Sequence, residues 1–293
     1  IIPIHNGEKY IDTCLTSIVQ QTYHYLEILC VVNGSMDSSQ QKIEKWSALD
    51  SRIRLITSDI ADLGKAVNTG IDYANGSYLT FVDIDDWISS DYISKLLLGI
   101  QKGYRICKAN CILYDGKENR SAYGERPKGH VSIRQASWLL PIRAAAMYDK
   151  ALFSQLRYLE FSYYEDLSLW PILVAISGGL YYVNESLYYY NRTNENSMMT
   201  VKDERHLVLD KVFQFIFEHI TPDLDQDVNL LITALFIQSF WSSNIKYVPN
   251  NEFGIDYLNR VKQAIDGKLV GYYYFVHQLD LPKESKEKMI HFY

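Results

Sequence analysis

Through its first hundred residues the chain alternates short apolar, β-branched runs with longer stretches in which apolar positions recur every three or four residues. Runs at 1–4, 26–32, 53–57 and 78–82 read as strands, and stretches at 9–21, 38–49, 65–74 and 91–100 read as helices. Strands separated by helices build a parallel sheet with right-handed crossovers, and such sheets bind ligands beyond the carboxyl ends of their strands. The residues after each predicted strand are polar or turn-forming: His5-Asn6-Gly7, Asn33-Gly34-Ser35, Ser58-Asp59 and Asp83-Ile84-Asp85-Asp86. Four loops therefore converge on one edge.

The periodicity fades over 104–134, where Gly, Lys, Arg and Asn accumulate, which predicts an irregular, mobile segment over that edge. A helix is expected from Lys150 through Tyr163-Tyr164-Glu165-Asp166 to 176, stopped by Gly178-Gly179 and followed by strands at 180–183 and 187–190. Beyond Thr200 the pattern is helical only, at 203–220, 225–246, 254–267 and 272–291.

The densest chemistry is Asp83-Ile84-Asp85-Asp86, at the end of the apolar run Tyr78-Leu79-Thr80-Phe81-Val82. Carboxylates crowded at the mouth of a buried strand repel one another and lose hydration, a cost that a hard divalent cation or a polar ligand offsets. The plain alternative is a turn followed by a helix cap, with Asp86 or Ser89 capping a helix that begins near Asp91.

Composition narrows the class. With 47% hydrophobic and 22% charged residues the chain is an ordinary globule, and a net charge of -6 argues against a broad nucleic-acid or anionic-membrane surface. The 4 cysteines do not form a disulfide framework, because Cys30 lies in an apolar run and Cys107 and Cys111 stand too far apart along an extended strand. A reducing cytosol fits. The least polar stretch, 230–241, contains Thr233, Gln238 and Ser239 and falls well short of the roughly 20 apolar residues of a membrane span. Membrane association is thus expected to be at most peripheral, at the inner face. The chain opens on Ile1-Ile2-Pro3-Ile4, apparently inside a strand, so further residues are expected to precede it.

Several segments together resemble the family 2 glycosyltransferases, whose nucleotide-sugar fold is called GT-A. Residues 1–10 are similar to the family's opening strand and turn, Leu15-Thr16-Ser17-Ile18-Val19-Gln20-Gln21-Thr22-Tyr23 to its first helix, and Asn68-Thr69-Gly70-Ile71 with Ala74-Asn75-Gly76-Ser77-Tyr78 to the lead into its acidic strand end. Asp83-Ile84-Asp85-Asp86-Trp87 falls where the family has its D-x-D signature, Glu165-Asp166 where it has its E-D pair, and Tyr188-Tyr189-Tyr190-Asn191-Arg192 with Asn196-Ser197 where it has its closing segment. The likeness covers about 1–200.

The resemblance implies an α/β GT-A fold over 1–200, with a Rossmann-like mixed, mostly parallel sheet, a nucleotide-binding half at about 1–100 and an acceptor half at about 101–200, then a helical region at 201–293 for acceptor selection or oligomerisation. It implies an inverting, metal-dependent transfer from a nucleoside-diphosphate sugar, with uracil the expected base, to a saccharide, glycoprotein or lipid-linked acceptor in cell-surface glycan biosynthesis. Asp166 would be the general base with Glu165 beside it. Asp85 would hold Mn²⁺ or Mg²⁺ with Asp83. Pro3, His5, Asn6, Asn33, Lys65, Asn68, Asp83, Asp86, Arg192 and Ser197 would bind the donor.

Two departures stand out. Many members read V-D-D-G-S where this chain reads Val32-Asn33-Gly34-Ser35, so an amide replaces the acid expected to accept the uracil N–H. Many read A-R-N-T-G where this chain reads Ala66-Val67-Asn68-Thr69-Gly70, leaving Lys65 as a charge without a bidentate fork. These departures keep open a degenerate, non-catalytic scaffold, against which the retained Asp83, Asp85 and Asp166 count. A sugar nucleotidyltransferase would need a Gly- and Arg-rich loop after the first strand, which His5-Asn6-Gly7-Glu8 does not supply. Of the 24 tyrosines, the clusters at 181–182 and 188–190 suit a sugar-binding groove, and Tyr272-Tyr273-Tyr274 suits packing or a homo-oligomer contact.

Overall fold

The computed structural model describes residues 1–293 except 118, 125, 196, 199, 201, 202, 221–224, 270 and 280. The chain begins with β1 (Ile2–Ile4), α1 (Ile11–Val19), β2 (Ile28–Asn33), α2 (Ser39–Leu49), β3 (Ile53–Ser58) and α3 (Leu63–Tyr73). β1, β2 and β3 form a parallel sheet in that order, with Ile2 opposite Cys30 and Ile28 opposite Ile53. β2 is buried along its whole length, which is why it reads as an unbroken apolar run rather than an alternating one.

The next strand brings in the antiparallel pairing that makes the architecture mixed. β4 (Tyr78–Thr80) precedes β5 (Trp87–Ile88), α4 (Tyr92–Gln101), β6 (Ile106–Tyr114), β7 (Asn119–Ser121), β8 (Gly129–Val131) and β9 (Ala146–Asp149), and its ladder partner is β9, antiparallel. Two backbone hydrogen bonds tie it to the first sheet: the Ile1 amino group donates to the Thr80 carbonyl at 3.0 Å and the Val82 N–H to the Ile1 carbonyl at 3.1 Å. After α5 (Glu165–Ile176), β10 (Leu180–Asn191) completes a second sheet ordered β4-β9-β6-β10-β5, with β7 on β6 and β8 on β10.

Three expectations are corrected here. Residues 104–134 are not an irregular segment throughout, because β6 lies inside the second sheet between β9 and β10 and is buried from Ile106 to Cys111. Lys108 and Asn110 broke its apolar pattern, yet both are buried and hydrogen-bonded. The helix expected from Lys150 is a single 3₁₀ turn at Lys150–Phe153, after which the chain runs irregularly to Tyr164. The Asn68 amide takes the backbone of Tyr158 on both sides, and Phe161 and Tyr164 adopt left-handed φ values of 55° and 60°, none of which a helix allows. The two strands expected at 180–190 are one, β10, kinked by register shifts between Val183 and Tyr188.

The C-terminal residues form α6 (Leu209–His219), α7 (Gln226–Ser239), α8 (Glu252–Ile265), α9 (Tyr272–Gln278) and α10 (Lys283–Phe292). α7 ends at Ser239 and gives way to a wide turn at Phe240–Asn244, short of the expected 246. The last expected helix is two, split before Pro282, whose missing N–H and fixed ring close off α9. Tyr272 is buried against Trp241 and Tyr293 while Tyr273 and Tyr274 face outward, and no helix among the described residues is long and apolar enough to cross a membrane. The four cysteines are buried and unpaired.

Candidate active site

The loop after β1 and the loop after β2 are laced together. The Asn6 N–H donates to Ser35 Oγ at 3.0 Å, the Gly7 N–H to Ser39 Oγ at 2.9 Å and the Ser38 N–H to Glu8 Oε2 at 2.8 Å. Asn6 reaches this position with a φ of 48°, and Gly7 is required because a Cβ there would lie 2.9 Å from Ile84 Cγ1. His5 Nδ1 sits 2.8 Å from the Asn33 carbonyl oxygen and its Nε2 3.1 Å from Asn6 Nδ2, so the ring donates at Nδ1 and accepts at Nε2. His5 is thereby a hydrogen-bonded loop residue. Pro3 is buried within β1.

Asn33 closes β2 and is buried. Its Nδ2 donates to the Asp62 carbonyl at 3.3 Å, whereas its Oδ1 is buried without a partner among the described residues. A carbonyl left dry and unpaired costs about 1–3 kcal/mol, a cost that an N–H from a ligand would remove. Asp62 is a junction: besides that carbonyl contact, its carboxylate caps α3 by accepting the Lys65 N–H at 2.7 Å and accepts the Phe161 N–H at 2.9 Å. Asn68, expected to touch a donor, spends its amide on Tyr158 and Glu160 instead. The Lys65 ammonium makes no ion pair with a described residue.

The acidic turn is bound mainly from β10. Tyr188 accepts the Asp83 N–H at 3.1 Å and donates its hydroxyl to Asp86 Oδ2 at 2.6 Å, and the Asn191 N–H donates to Asp86 Oδ1 at 2.7 Å. Asp86 is thus an internal anchor with both oxygens taken, and burial, reinforced by Asp85 and Asp83, pushes its carboxyl well above the ordinary range. Asp85 accepts from Asn194 Nδ2 at 2.8 Å; burial raises its carboxyl and this hydrogen bond opposes the rise. Asn194 brings the segment after β10 onto the acidic turn, so that exposed Arg192 and half-buried Ser197 lie on the segment that closes over it; Asn196 lies outside the described residues.

The centre of the site is Arg143, which the sequence reading missed. Its Nη1 donates to Glu165 Oε1 at 2.7 Å and to Asp166 Oδ1 at 3.0 Å, and its Nη2 donates to Asp83 Oδ1. One buried guanidinium therefore joins the D-x-D turn to the E-D pair, which opens α5 where a helix N-terminus favours acids. Burial opposes the Arg143 charge, but Asp166, Asp83 and Glu165 outweigh it and hold the group protonated. Burial pushes Glu165 up to about 8 and raises Asp166, where Arg143 pulls the other way. A signal for Arg143 was present: it is a lone cation in the apolar stretch Leu139-Leu140-Pro141-Ile142-Arg143-Ala144-Ala145-Ala146-Met147, and such a cation needs a carboxylate.

The left-handed non-glycine residues Asn6, Ala145, Phe161 and Tyr164 all lie in loops that carry or flank this site, where backbone strain concentrates in binding and catalytic centres. Among the described residues no set of three or more His, Cys, Asp or Glu side chains converges as a self-sufficient metal site. The arrangement does offer an under-compensated carboxylate, Asp85, beside a guanidinium-linked acid pair.

A family model described as glycosyl transferase family 2 matches residues 1–157. Glycosyltransferase GlyA of Streptococcus pneumoniae is 33% identical over 234 residues, which are 74% of this chain and 34% of that protein. The Escherichia coli protein named UDP-Glc:alpha-D-GlcNAc-diphosphoundecaprenol beta-1,3-glucosyltransferase WfgD is 31% identical over 127 residues, 43% of this chain and 48% of the relative. This chain thus spans less than half the length of either. The structure of S. aureus TarS 1-349 in complex with UDP-GlcNAc superposes with a TM-score of 0.79 at 16% identity, over 100% of this chain and 88% of that one, a likeness of fold.

Proposed function

The chain belongs to glycosyl transferase family 2, and from that premise we propose that it transfers a sugar from a UDP-linked donor to a saccharide, glycoprotein or lipid-linked acceptor with inversion at the anomeric carbon. The observation that carries the reading is the Arg143 cluster, in which the acidic turn and the E-D pair share one guanidinium. In the proposed reaction the acceptor oxygen bonds to the anomeric carbon as the bond from that carbon to the diphosphate oxygen breaks, and the diphosphate leaves with the electron pair. Asp166 takes the acceptor proton, a role worth typically about 10²–10⁴ in rate. Glu165 shares the Arg143 guanidinium with Asp166 and is proposed to orient it.

The donor base is read as uracil because the unpartnered Asn33 Oδ1 needs an N–H donor, which the imide of uracil supplies. Two similar proteins support a UDP donor: WfgD is named for UDP-Glc, and TarS has been solved in complex with UDP-GlcNAc. Arg192 and Lys65, which pair with no described carboxylate, are the cations proposed for the diphosphate. A divalent cation fits Asp85, whose half-buried carboxylate accepts a hydrogen bond from Asn194 and stands beside Asp83 and Asp86 without a salt-bridge partner among the described residues. Asp85 would hold Mn²⁺ or Mg²⁺ with the free oxygen of Asp83, and the ion would neutralise charge on the departing diphosphate. Residues 1–200 are proposed as the catalytic unit and the helices after them as the part that selects the acceptor or pairs two copies. A cytoplasmic setting at the inner membrane face is proposed with them.

The test is calorimetric titration of UDP with and without Mn²⁺, on the wild type and on Asp85→Ala. Binding that needs both the ion and Asp85 supports the reading and is followed by transfer assays with UDP-sugars. Absence of binding overturns the choice of UDP, and absence of metal-dependent hydrolysis with any nucleoside-diphosphate sugar overturns catalysis in favour of a scaffold.

A further inference from the structure

Lys108 is fully buried in the middle of β6, and the reaction as described gives it no part. Its ammonium touches no carboxylate: it donates to the Ile142 carbonyl at 2.9 Å and the Ala144 carbonyl at 3.1 Å and stands 4.7 Å from the centre of the Trp170 ring. Those two carbonyls flank Arg143. The third carbonyl, of Arg143 itself, accepts from the Tyr148 hydroxyl at 3.1 Å, and the Ala145 carbonyl accepts the Ala109 N–H at 2.8 Å. Four successive carbonyls are therefore held by β6 and β9, and the turn they belong to contains the left-handed Ala145, with a φ of 56°. Trp170, on the other side of the ammonium, lies one helical turn beyond Asp166 in α5.

Burying an ammonium without a carboxylate is costly, as its fall to about 8 through burial reflects, and a methionine, one atom shorter, would fill most of the space without that cost. What the ammonium adds is direction. Two charge-assisted hydrogen bonds hold the backbone on both sides of Arg143, and a cation over the indole face registers that turn against the helix carrying Asp166.

We propose that Lys108 is a positioning residue for transfer, a clamp that fixes the Arg143 turn so that the guanidinium meets Asp83, Glu165 and Asp166 together. The proposal rests on the glycosyltransfer reading for its kinetic consequence and on geometry alone for the clamp. Misplacing a catalytic group by about 1 Å costs on the order of 10²-fold in rate, and of the proposed donor contacts Asp83 alone touches the Arg143 guanidinium, while Asn33 and Asp85 are held by Asp62 and Asn194.

The experiment compares wild type, Lys108→Met and Lys108→Arg. Lys108→Met should lower kcat by about 10–100-fold while donor KM and the UDP dissociation constant by calorimetry stay within about twofold, and Lys108→Arg, which restores charge and donors, should recover most of the loss. Hydrogen exchange should show faster exchange at 142–146 in Lys108→Met with 83–92 unchanged. Should Lys108→Met fail to fold, Lys108→Gln takes its place under the same criteria. An unchanged kcat in a folded variant, or kcat lost together with UDP binding, overturns the proposal. If the wild type transfers no sugar, the functional reading fails, and the exchange measurement still judges the clamp: unchanged protection at 142–146 overturns it.

Discussion

The carboxyl edge of the sheets and the C-terminal helices are stabilised by opposite means. At the edge, Asp83, Glu165, Asp166 and Asp86 are wholly or largely withdrawn from water and are held by Arg143 and Tyr188 through hydrogen bonds that leave little alternative. In the helices, aromatic side chains such as Phe213, Phe236, Phe240 and Tyr272 pack on one another, and ion pairs such as Glu284 with Lys288 stay on the surface. The contrast teaches where stability has been given up. Charge kept in a dry site is a burden on folding that apolar packing must offset, and such burdens concentrate where chemistry needs them.

The largest break in that contrast is Arg143→Met, which strands the carboxylates on both sides of the guanidinium. Removing one partner of a buried ionic cluster costs about 3–5 kcal/mol, to be read as a fall in the urea midpoint, with transfer abolished. Next is Asp166→Asn, which keeps the side chain's shape; transfer should fall by about 10²–10⁴ while UDP binding by calorimetry holds.

A subtler test uses pH. Glu165 is raised from 4.5 to about 8, so between those values the folded chain keeps a proton that the unfolded chain has released. Its contribution is present below about 4.5 and is lost as pH rises toward 8. The stability of Glu165→Gln relative to wild type should accordingly rise across that window in urea titrations at stepped pH. Lys108 works the other way at higher pH: lowered from 10.5 to about 8, it penalises folding below about 8, and the penalty fades between about 8 and 10.5. The smallest effect belongs to the helices, where Lys288→Ala, losing a fully exposed pair with Glu284, should leave the melting midpoint unmoved in scanning calorimetry.

What the sequence made legible follows the same division. The first three strands and helices were readable because each is locally consistent, with an unbroken apolar run in β2 and apolar positions recurring at helical spacing in α1 and α3. The residues of the two acidic motifs, Asp83, Asp85, Glu165 and Asp166, were readable through family resemblance, and the structure brings three of them to one guanidinium. β6 was hidden because Lys108 and Asn110 point polar groups inward, where only tertiary partners justify them. Arg143 was hidden because its partners lie 60, 22 and 23 residues away in the chain, a separation that no local pattern encodes. The break at 154–164 was hidden because it depends on Asn68 and Asp62, far upstream, accepting and donating to its backbone.

Asp62 carries a consequence for recombining this chain with its relatives. Its carbonyl receives Asn33 and its carboxylate receives both the start of α3 and Phe161, while Asn68, in that helix's second turn, grips Tyr158. The segment at 154–164 and the N-terminal half of α3 are therefore one exchangeable cassette. A chimaera that swaps either alone inherits orphaned amides at the seam, and one that swaps both carries its own fastening with it.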